Sequence, residues 1–281
     1  MPDNKDINEF KKISFKIRKD IIKSLAEAGS GHLGGSLGLA DIFTCLYFDI
    51  LNHQPKNPSW EDRDRLILSI GHVAPVLYAS LAHAGYFDPS ELKTLRKLGS
   101  RLQGHPGREH GLPGIELSAG SLGQGLSVAV GLALAAKMDS KEWRVFSIHG
   151  DGELQEGSIW EAAMSASHYK LNNLVALVDR NSVQIDGSTS EVMEIEPLAD
   201  KFESFGWNVL HCDGHDHTEI INAYKKAFQF KAKPSVIIAK TSMGKGVKSI
   251  ENNYTWHGKA PSHEQAAQFI IELEESSKIK E

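Results

Sequence analysis

The sequence predicts an α/β protein built on a doubly wound, mostly parallel sheet that is flanked by helices. Short apolar runs with the length of strands alternate along the chain with longer segments that have the apolar spacing of helices. The clearest unit runs from Arg144 to Val183 as strand, tight turn, helix and strand. Asp151 follows its first apolar run and Asn181 follows its second. Parallel strands end at the same edge of a sheet, so Asp151 and Asn181 are expected to meet there.

The individual elements follow from hydrophobic periodicity and from glycine and proline placement. Strands are predicted near residues 65–69, 144–149, 174–179, 207–211 and 234–240. Helices are predicted at 7–28, 39–51, 73–84, 89–98, 127–138, 156–169, 197–205 and 217–230, and from about 262 into the polar end. The glycine-rich segments 31–38 and 100–125 are predicted to be loops. One domain over residues 1–281 is the simplest interpretation.

Composition excludes several classes of function. Hydrophobic residues make up 41% of the chain, charged residues 24%, and the net charge is −5. An acidic balance argues against binding to the phosphate backbone of nucleic acid. No apolar run reaches membrane-spanning length, and the charged first residues lack the apolar centre of a signal peptide. The two cysteines, Cys45 and Cys212, predict reduced core thiols and a cytoplasmic location rather than a disulfide framework.

The glycine turn around Asp151 does not predict a dinucleotide site. Such a site needs a glycine at position 155, where the chain has Gln155, and no phosphate loop ending in Gly-Lys-Ser/Thr occurs. Asp151, Asn181 and a nearby backbone carbonyl offer oxygen ligands beside a helix N-terminus, which favours an anion. Magnesium and calcium prefer such ligands. The turn therefore predicts a site for a metal-bridged diphosphate, and a simple turn aspartate with a turn asparagine is the alternative.

The segment from Gly150 to Asn181 resembles the thiamine diphosphate signature, which opens with Gly-Asp-Gly and closes with Asn. More narrowly, the chain resembles the N-terminal, diphosphate-binding domain of transketolase. The motifs that match in the transketolase order are SGHLGGSLG at 30–38, SIGHVAPVLYA at 69–79, GHP at 104–106, AGSLGQGLSVAVG at 119–131, LQEG at 154–157, IDG at 185–187 and HG at 257–258. They span nearly the whole chain, and together they are far more specific than any one of them.

The resemblance implies a metal site and a cofactor site. The metal, Mg²⁺ or Ca²⁺, would be held by Asp151, Asn181 and the backbone carbonyl of Val183. The residues expected to contact thiamine diphosphate are His72, Gly120, Ser121, Leu122, Gly150, Asp151, Gly152, Glu156, Asn181 and His257. Among these, Glu156 matches a glutamate of the carboxylate network that joins paired cofactor sites across the dimer. A glutamate in the first turn of a helix is also a simple response to the helix dipole.

Four histidines match those that line the substrate channel of the family. They are His32, His72, His105 and His257. Neutral imidazoles there would relay protons and form hydrogen bonds with sugar hydroxyls. The implied reaction is the reversible transfer of a two-carbon ketol unit from a ketose phosphate to an aldose phosphate, as in the pentose phosphate pathway.

The resemblance also implies a partner chain. In this family a glutamate from a second, pyrimidine-binding domain activates the cofactor. Only roughly twenty residues follow Gly258, which are too few to form such a domain. We therefore expect a separate C-terminal subunit to carry that domain, and a heterotetramer with two of each chain is the expected assembly. The apolar segments 39–51 and 126–136 are candidate interfaces, with plain core as the equal alternative.

Several alternatives stay open at the level of the sequence. Leu33 and Ser121 stand where the family usually has proline, which leaves room for an unusual sugar, sulfonated or branched. The chain could also belong to a 1-deoxyxylulose 5-phosphate synthase-like or E1-like enzyme, or be a non-catalytic cofactor-binding module. A zinc cluster is a further alternative, formed by His211, Cys212, His215 and His217.

Overall fold

A five-stranded parallel sheet lies at the centre of the protein, whose computed structural model describes residues 7–277. Its strands are β1 (Arg65–Leu68), β2 (Val145–Gly150), β3 (Leu174–Arg180), β6 (Asn208–Asp213) and β7 (Ser235–Lys240). They are ordered β1-β2-β3-β7-β6, and every neighbouring pair is parallel. A short antiparallel hairpin, β4 (Val183–Gln184) and β5 (Gly187–Ser188), follows β3. The predicted fold class is confirmed.

Helices cover both faces of this sheet. Their bounds within the described residues are α1 (Ile7–Ala28), α2 (Leu33–Gly38), α3 (Ala40–Cys45), α4 (Ala74–His83), α5 (Gln124–Met138), α6 (Gly157–His168), α7 (Thr189–Val192), α8 (Leu198–Ser204), α9 (His217–Gln229) and α10 (His263–Ser277). The polar end predicted to continue α10 past Ser277 lies outside the described residues. In the part of the chain that is described, no helix has the length and apolar character needed to cross a membrane.

The strands divide their side chains between two hydrophobic cores. Val175 and Leu177 of β3 pack into the core beneath α1, α4 and α9, whereas Ala176 and Val178 pack into the core beneath α5 and α6. Successive side chains of a strand point to opposite faces, and here both faces are buried. This double burial explains why the strands are continuous apolar runs in the sequence. Polar residues are left for the strand ends.

The glycine-rich segment 31–38 was expected to be a loop, and this prediction is wrong. The segment forms α2, which is buried along its whole length. Its glycines serve close packing, since a Cβ on Gly34 would lie 2.6 Å from Cγ of Met243 and a Cβ on Gly38 would lie 3.0 Å from a backbone oxygen. A helix that must approach its neighbours this closely tolerates only glycine at those positions.

The prediction of a helix at 89–98 is also wrong. Only a 3₁₀ helix forms there, over Pro89–Thr94. The chain then turns sharply at Arg96, whose φ of 62° lies in the left-handed region that interrupts a right-handed helix.

The apolar segment 39–51 is buried within this chain over residues 39–47 and half-buried over 48–51. It forms α3 and then a π-helical stretch, Leu46–Ile50. Leu39, Ile42 and Phe43 have no exposed surface. Of the two candidate interfaces, only the segment of α5 therefore keeps an exposed face.

Candidate functional site

A cavity of about 270 Å³ opens at the carboxyl edge of the sheet. Loops that follow the strands form its walls, as expected for a parallel α/β sheet. The residues that line it are His32, Gly35, Ile70, His72, Val73, His105, Gly120, Leu122, Gly150, Asp151, Gly152, Glu153, Asp179, Asn181, Val183, Gln184, Ile185 and His257. Of the residues predicted to form the site, only Ser121 and Glu156 do not line this cavity.

Strand register brings Asp151 and Asn181 together. Gly150 of β2 is paired with Asp179 of β3, and the backbone N–H of Asp151 donates to the carbonyl of Asp179 at 3.2 Å. The next residues of both strands therefore leave the sheet at the same level. A separation of thirty residues in sequence becomes a direct neighbourhood because β2 and β3 are parallel and adjacent.

The Asp151 carboxylate is buried and accepts three hydrogen bonds. It accepts from the backbone N–H of Gly152 at 2.8 Å, from the backbone N–H of Ser182 at 2.6 Å and from the Arg180 guanidinium at 2.9 Å. Burial raises the pKa of Asp151 above its ordinary value, while these three donors act in the opposite direction. Arg180 is also paired with Glu196 at 2.9 Å, so its charge is shared between two carboxylates.

The Asn181 amide is oriented by two contacts. Its Nδ2 donates to Asp179 at 2.8 Å, and its Oδ1 accepts from the backbone N–H of Val183 at 2.9 Å. Asp179 is buried and also accepts from the Thr241 hydroxyl. Burial raises the pKa of Asp179 to about 7, and the nearby Asp151 carboxylate raises it as well. The amide is therefore fixed by a carboxyl group that the sequence did not single out.

These residues fit a divalent metal that bridges to a diphosphate. Asp151, Asn181 and the Val183 carbonyl offer one carboxylate oxygen, one amide oxygen and one peptide oxygen along the same wall, a donor set suited to Mg²⁺ or Ca²⁺. Gly152 contributes backbone to that wall, where a Cβ would lie 3.2 Å from Gln184. Across residues 7–277, no three His, Cys, Asp or Glu side chains form a metal-binding group. The proposed ligand set includes only one side chain of those types.

The four predicted histidines form a cluster that lines the same cavity, and we call this part its histidine end. The ring centre of His32 lies 5.0 Å from that of His72, 6.4 Å from that of His105 and 5.8 Å from that of His257. The rings of His72 and His257 are 5.1 Å apart. Nδ1 of His32 is buried and has no hydrogen-bond partner among the described residues. An unsatisfied buried nitrogen of this kind is suited to a ligand that fills the cavity.

Burial favours the neutral form of all four imidazoles, because it lowers the pKa of each. Burial, followed by the neighbouring His257, His105 and Arg96, lowers the pKa of His32 to about 4. Burial and the other histidines lower the pKa of His72 to about 3. The pKa values of His105 and His257 are also lowered, mainly by burial. Neutral rings can both accept and donate a proton, so the cluster can form hydrogen bonds with hydroxyl groups.

Glu153 is a cavity residue that the sequence analysis missed. Its buried carboxylate accepts from the Ser69 hydroxyl and from the backbone N–H of Gly123 at 2.8 Å, and it lies 3.0 Å from Nδ1 of His149. Burial raises the pKa of Glu153, but these contacts outweigh burial and the pKa lies below its usual value. Ser69 also accepts from the backbone N–H of Gly125 at 3.1 Å. Glu153 thus holds the loop 120–125 against the strand ends.

Ser121 and Glu156 are both exposed, and each lies within three residues in sequence of a residue that lines the cavity. Ser121 lies between Gly120 and Leu122, which line the cavity. Glu156 lies between the 3₁₀ turn 152–155 and α6, for which it is the N-cap residue, and a Cβ on Gly123 would lie 2.7 Å from Cβ of Glu156. Their roles as cofactor contacts stay predictions.

The suggested zinc cluster does not form. Nδ1 of His215 lies 2.9 Å from Asp41, and its Nε2 accepts from the backbone N–H of Ser242 at 2.8 Å. Nε2 of His217 lies 2.9 Å from the Ser14 hydroxyl. Both ring nitrogens of His215 are occupied, so it has no lone pair left for a metal.

Comparisons with known proteins agree with this geometry. The family model described as "Transketolase, thiamine diphosphate binding domain" matches residues 10–274. The chain is 42% identical over 262 residues to a subunit of the apulose-4-phosphate transketolase of Phocaeicola vulgatus, a match that covers 93% of this chain and 92% of that protein. It is 43% identical over 258 residues to a subunit of the 6-deoxy-6-sulfo-D-fructose transketolase of a Clostridium species, a match that covers 92% of this chain and 94% of that protein.

A solved structure shows the same fold. The crystal structure of transketolase from Campylobacter jejuni superposes with a TM-score of 0.90 and 34% sequence identity over 98% of this chain. The match covers 43% of that transketolase, so the chain spans less than half of the solved protein.

Proposed function

Because the chain belongs to the transketolase family and carries its thiamine diphosphate-binding domain, we propose that it is the N-terminal subunit of a split transketolase. The complex would transfer a two-carbon ketol unit reversibly between a ketose and an aldose that each carry an anionic group. One observation carries this proposal. A single cavity brings together the strand-end oxygen ligands, the glycine backbone and the four neutral histidines.

The strand end of the cavity would hold the cofactor diphosphate and the metal. Asp151, Asn181 and the Val183 carbonyl would bind Mg²⁺ or Ca²⁺, and Gly152 would let the diphosphate approach the backbone. His72 and His257 would lie against the diphosphate. When bound, the thiazolium ring supplies the carbon nucleophile that the reaction needs.

The histidine end would hold the sugar. His32 and His105 would form hydrogen bonds with the hydroxyls of the transferred unit, and His257 would lie beside the bond that breaks. Their lowered pKa values keep these rings neutral, so each can accept a proton from one hydroxyl and donate one to another. Gly120 and Leu122 would line the aminopyrimidine side, and Ser121 and Glu156 would complete that side at the partner chain.

A C-terminal subunit with a pyrimidine-binding domain would supply the rest of the active site, with two copies of each chain. Both relatives described above are named as subunits. The C-terminal subunit would dock on the exposed face of α5, which is formed by Ser127, Val128, Gly131 and Ala135. These positions share one side of the helix, and α5 continues directly from the cavity loop 120–123.

The names of the relatives support a substrate class, and the cysteines of this chain support a location. The relatives are named for apulose 4-phosphate and 6-deoxy-6-sulfo-D-fructose, which carry a phosphate and a sulfonate. We propose a phosphorylated or sulfonated sugar for this chain as well. A cytoplasmic location is supported by the two buried free thiols, Cys45 and Cys212.

The test is reconstitution with a separate chain of about 300 residues that carries a pyrimidine-binding domain. The mixture, supplied with thiamine diphosphate and Mg²⁺, should transfer a ketol unit among several sugar phosphates, and each chain alone should be inactive. Strong transfer by this chain alone would disprove the split assembly. Tight cofactor binding without transfer by any mixture would indicate a non-catalytic module.

A further inference from the structure

Arg96 carries an unpaired guanidinium beside the histidine end of the cavity. Within residues 7–277, its side chain has neither a hydrogen bond nor an ion pair. Two nearby cations are paired: Lys97 lies 2.6 Å from Glu27 and Arg101 lies 2.6 Å from Glu91. Arg96 therefore keeps a free positive charge where its neighbours do not.

The Arg96 side chain packs against two glycines near the cavity. The φ of Arg96 is 62°, a left-handed conformation that is uncommon for residues other than glycine, and its N–H donates to the Leu102 carbonyl at 2.8 Å. A Cβ on Gly104 would lie 2.7 Å from Cζ of Arg96, and a Cβ on Gly31 would lie 3.8 Å from its Cδ. The guanidinium thus packs over two glycines, where any larger residue would displace it.

Those two glycines directly precede cavity histidines. Gly31 is followed by His32, and Gly104 is followed by His105. The proximity is also electrostatic, since burial and then the Arg96 charge lower the pKa of His105. The guanidinium therefore lies beside the imidazoles that would bind the sugar.

The charged side chains in and beside the cavity differ in whether they are paired. Asp151 lines the cavity and is paired with Arg180 at 2.9 Å, and Glu153 lies 3.0 Å from Nδ1 of His149. Arg96 lies beside Gly31 and Gly104 and is exposed. A planar guanidinium donates two parallel N–H bonds to a phosphate or sulfonate, which fits a free oxyanion better than a single point charge does.

We propose that Arg96 binds the phosphate or sulfonate at the distal end of the sugar and makes this chain a determinant of the preference for charged substrates. The proposal rests on the proposed transketolase function and adds a specificity residue to it. The partner chain need not be the sole source of the charges that bind the substrate.

The test compares charged and neutral sugars in the reconstituted complex. Arg96→Gln should raise KM for an aldose phosphate by about tenfold, the value of one charge-assisted hydrogen-bonded pair, and leave kcat nearly unchanged. With the same aldose lacking its phosphate, KM should not change. Arg96→Lys should recover part of the loss, and Lys97→Leu, which removes a paired cation of the same loop, should behave like the wild type.

A binding experiment separates this proposal from the proposed function. Calorimetric titration of the complex with ribose 5-phosphate and with ribose needs no turnover. The wild type should bind the phosphorylated sugar more tightly, and Arg96→Gln should remove that difference even if the complex has no transfer activity. Equal losses for both sugars, or no loss for either, would overturn the role of Arg96. Repeating the titration with a sulfonated sugar identifies which anion Arg96 prefers.

Discussion

The two ends of the cavity differ in how far this chain alone satisfies their polar groups. At the strand end, Asp151 and Glu153 are buried and each has three polar contacts. At the histidine end, Nδ1 of His32 is buried without a partner, and the guanidinium of Arg96 is unpaired within the described ranges. One end is preorganised by the chain itself, and the other presents donors and acceptors that are still free.

This difference indicates that the strand end is a rigid surface suited to the cofactor, whereas the histidine end is suited to the substrate. Buried carboxylates that each have several polar contacts hold their geometry without a ligand, because moving them would leave charges unpaired. Free imidazoles and a free guanidinium gain their partners only when a sugar or a second chain arrives. Variants at Asp151 and Glu153 should therefore affect cofactor affinity and folding, whereas variants at His32, His105 and Arg96 should mainly affect substrate use.

The largest effect is expected for Asp151→Asn, which keeps the side-chain volume and removes the charge. Affinity for thiamine diphosphate with Mg²⁺ should fall by about a thousandfold, roughly 4 kcal/mol, because a neutral amide binds a divalent cation poorly. Calorimetry measures the loss, and removal of the metal from the wild type by a chelator should reproduce it. Asp200→Asn, at an exposed position of α8, is the matched control. Unchanged affinity in folded Asp151→Asn would disprove the metal assignment.

The next effect is expected for Glu153→Gln. The amide oxygen can still accept from Ser69 and Gly123, but the amide nitrogen cannot accept from Nδ1 of His149 as the second carboxylate oxygen does, and the negative charge is lost. The free energy of unfolding should fall by about 2–3 kcal/mol in urea denaturation. Glu203→Gln changes the same group at an exposed position and should cost less than about 0.5 kcal/mol. Equal stability of the two variants would show that Glu153 does not hold the loop.

A smaller effect should appear in the pH dependence of stability. The pKa of His72 is lowered to about 3 in the folded protein, so the unfolded chain binds its proton first as the pH falls. The stabilisation is complete above about pH 6.5 and is lost as the pH falls toward the folded pKa. Between pH 7.5 and 5, His72 should account for about 1–2 kcal/mol of lost stability. His72→Gln should flatten the profile, whereas His168→Gln, at an exposed site, should not.

The smallest effect is expected on the exposed face of α5. A Cβ on Gly131 meets no atom within 4 Å, so Gly131→Lys should leave the fold of this chain intact. A lysine there should weaken association with the partner chain by about tenfold or more, because a charge would be buried at the interface. Sedimentation of the mixed chains measures the change. Lys137→Ala, at the exposed end of the same helix, is a control for general surface change. Full association of Gly131→Lys would exclude this face.

The prediction from sequence succeeded where local pattern and tertiary burial agree. The runs at β2 and β3 are apolar because both sheet faces are buried, so strand position and parallel direction followed from the sequence. It failed at α2, where glycines normally indicate a loop but here allow a helix to pack against Met243. It also missed Glu153, since a glutamate in a helical first turn gives no local sign of burial.

By itself, the sequence determined the sheet, the order of the motifs and the residue types of the site, since these depend on periodicity, turn chemistry and side-chain chemistry along the chain. Only the tertiary structure decided which of those residues share one cavity, which carboxylates are satisfied, and which charges are left free. Such outcomes depend on contacts between residues far apart in sequence, such as the 2.8 Å bond from Gly123 to Glu153, and on burial that no local pattern encodes. The free guanidinium of Arg96 is a result of that kind.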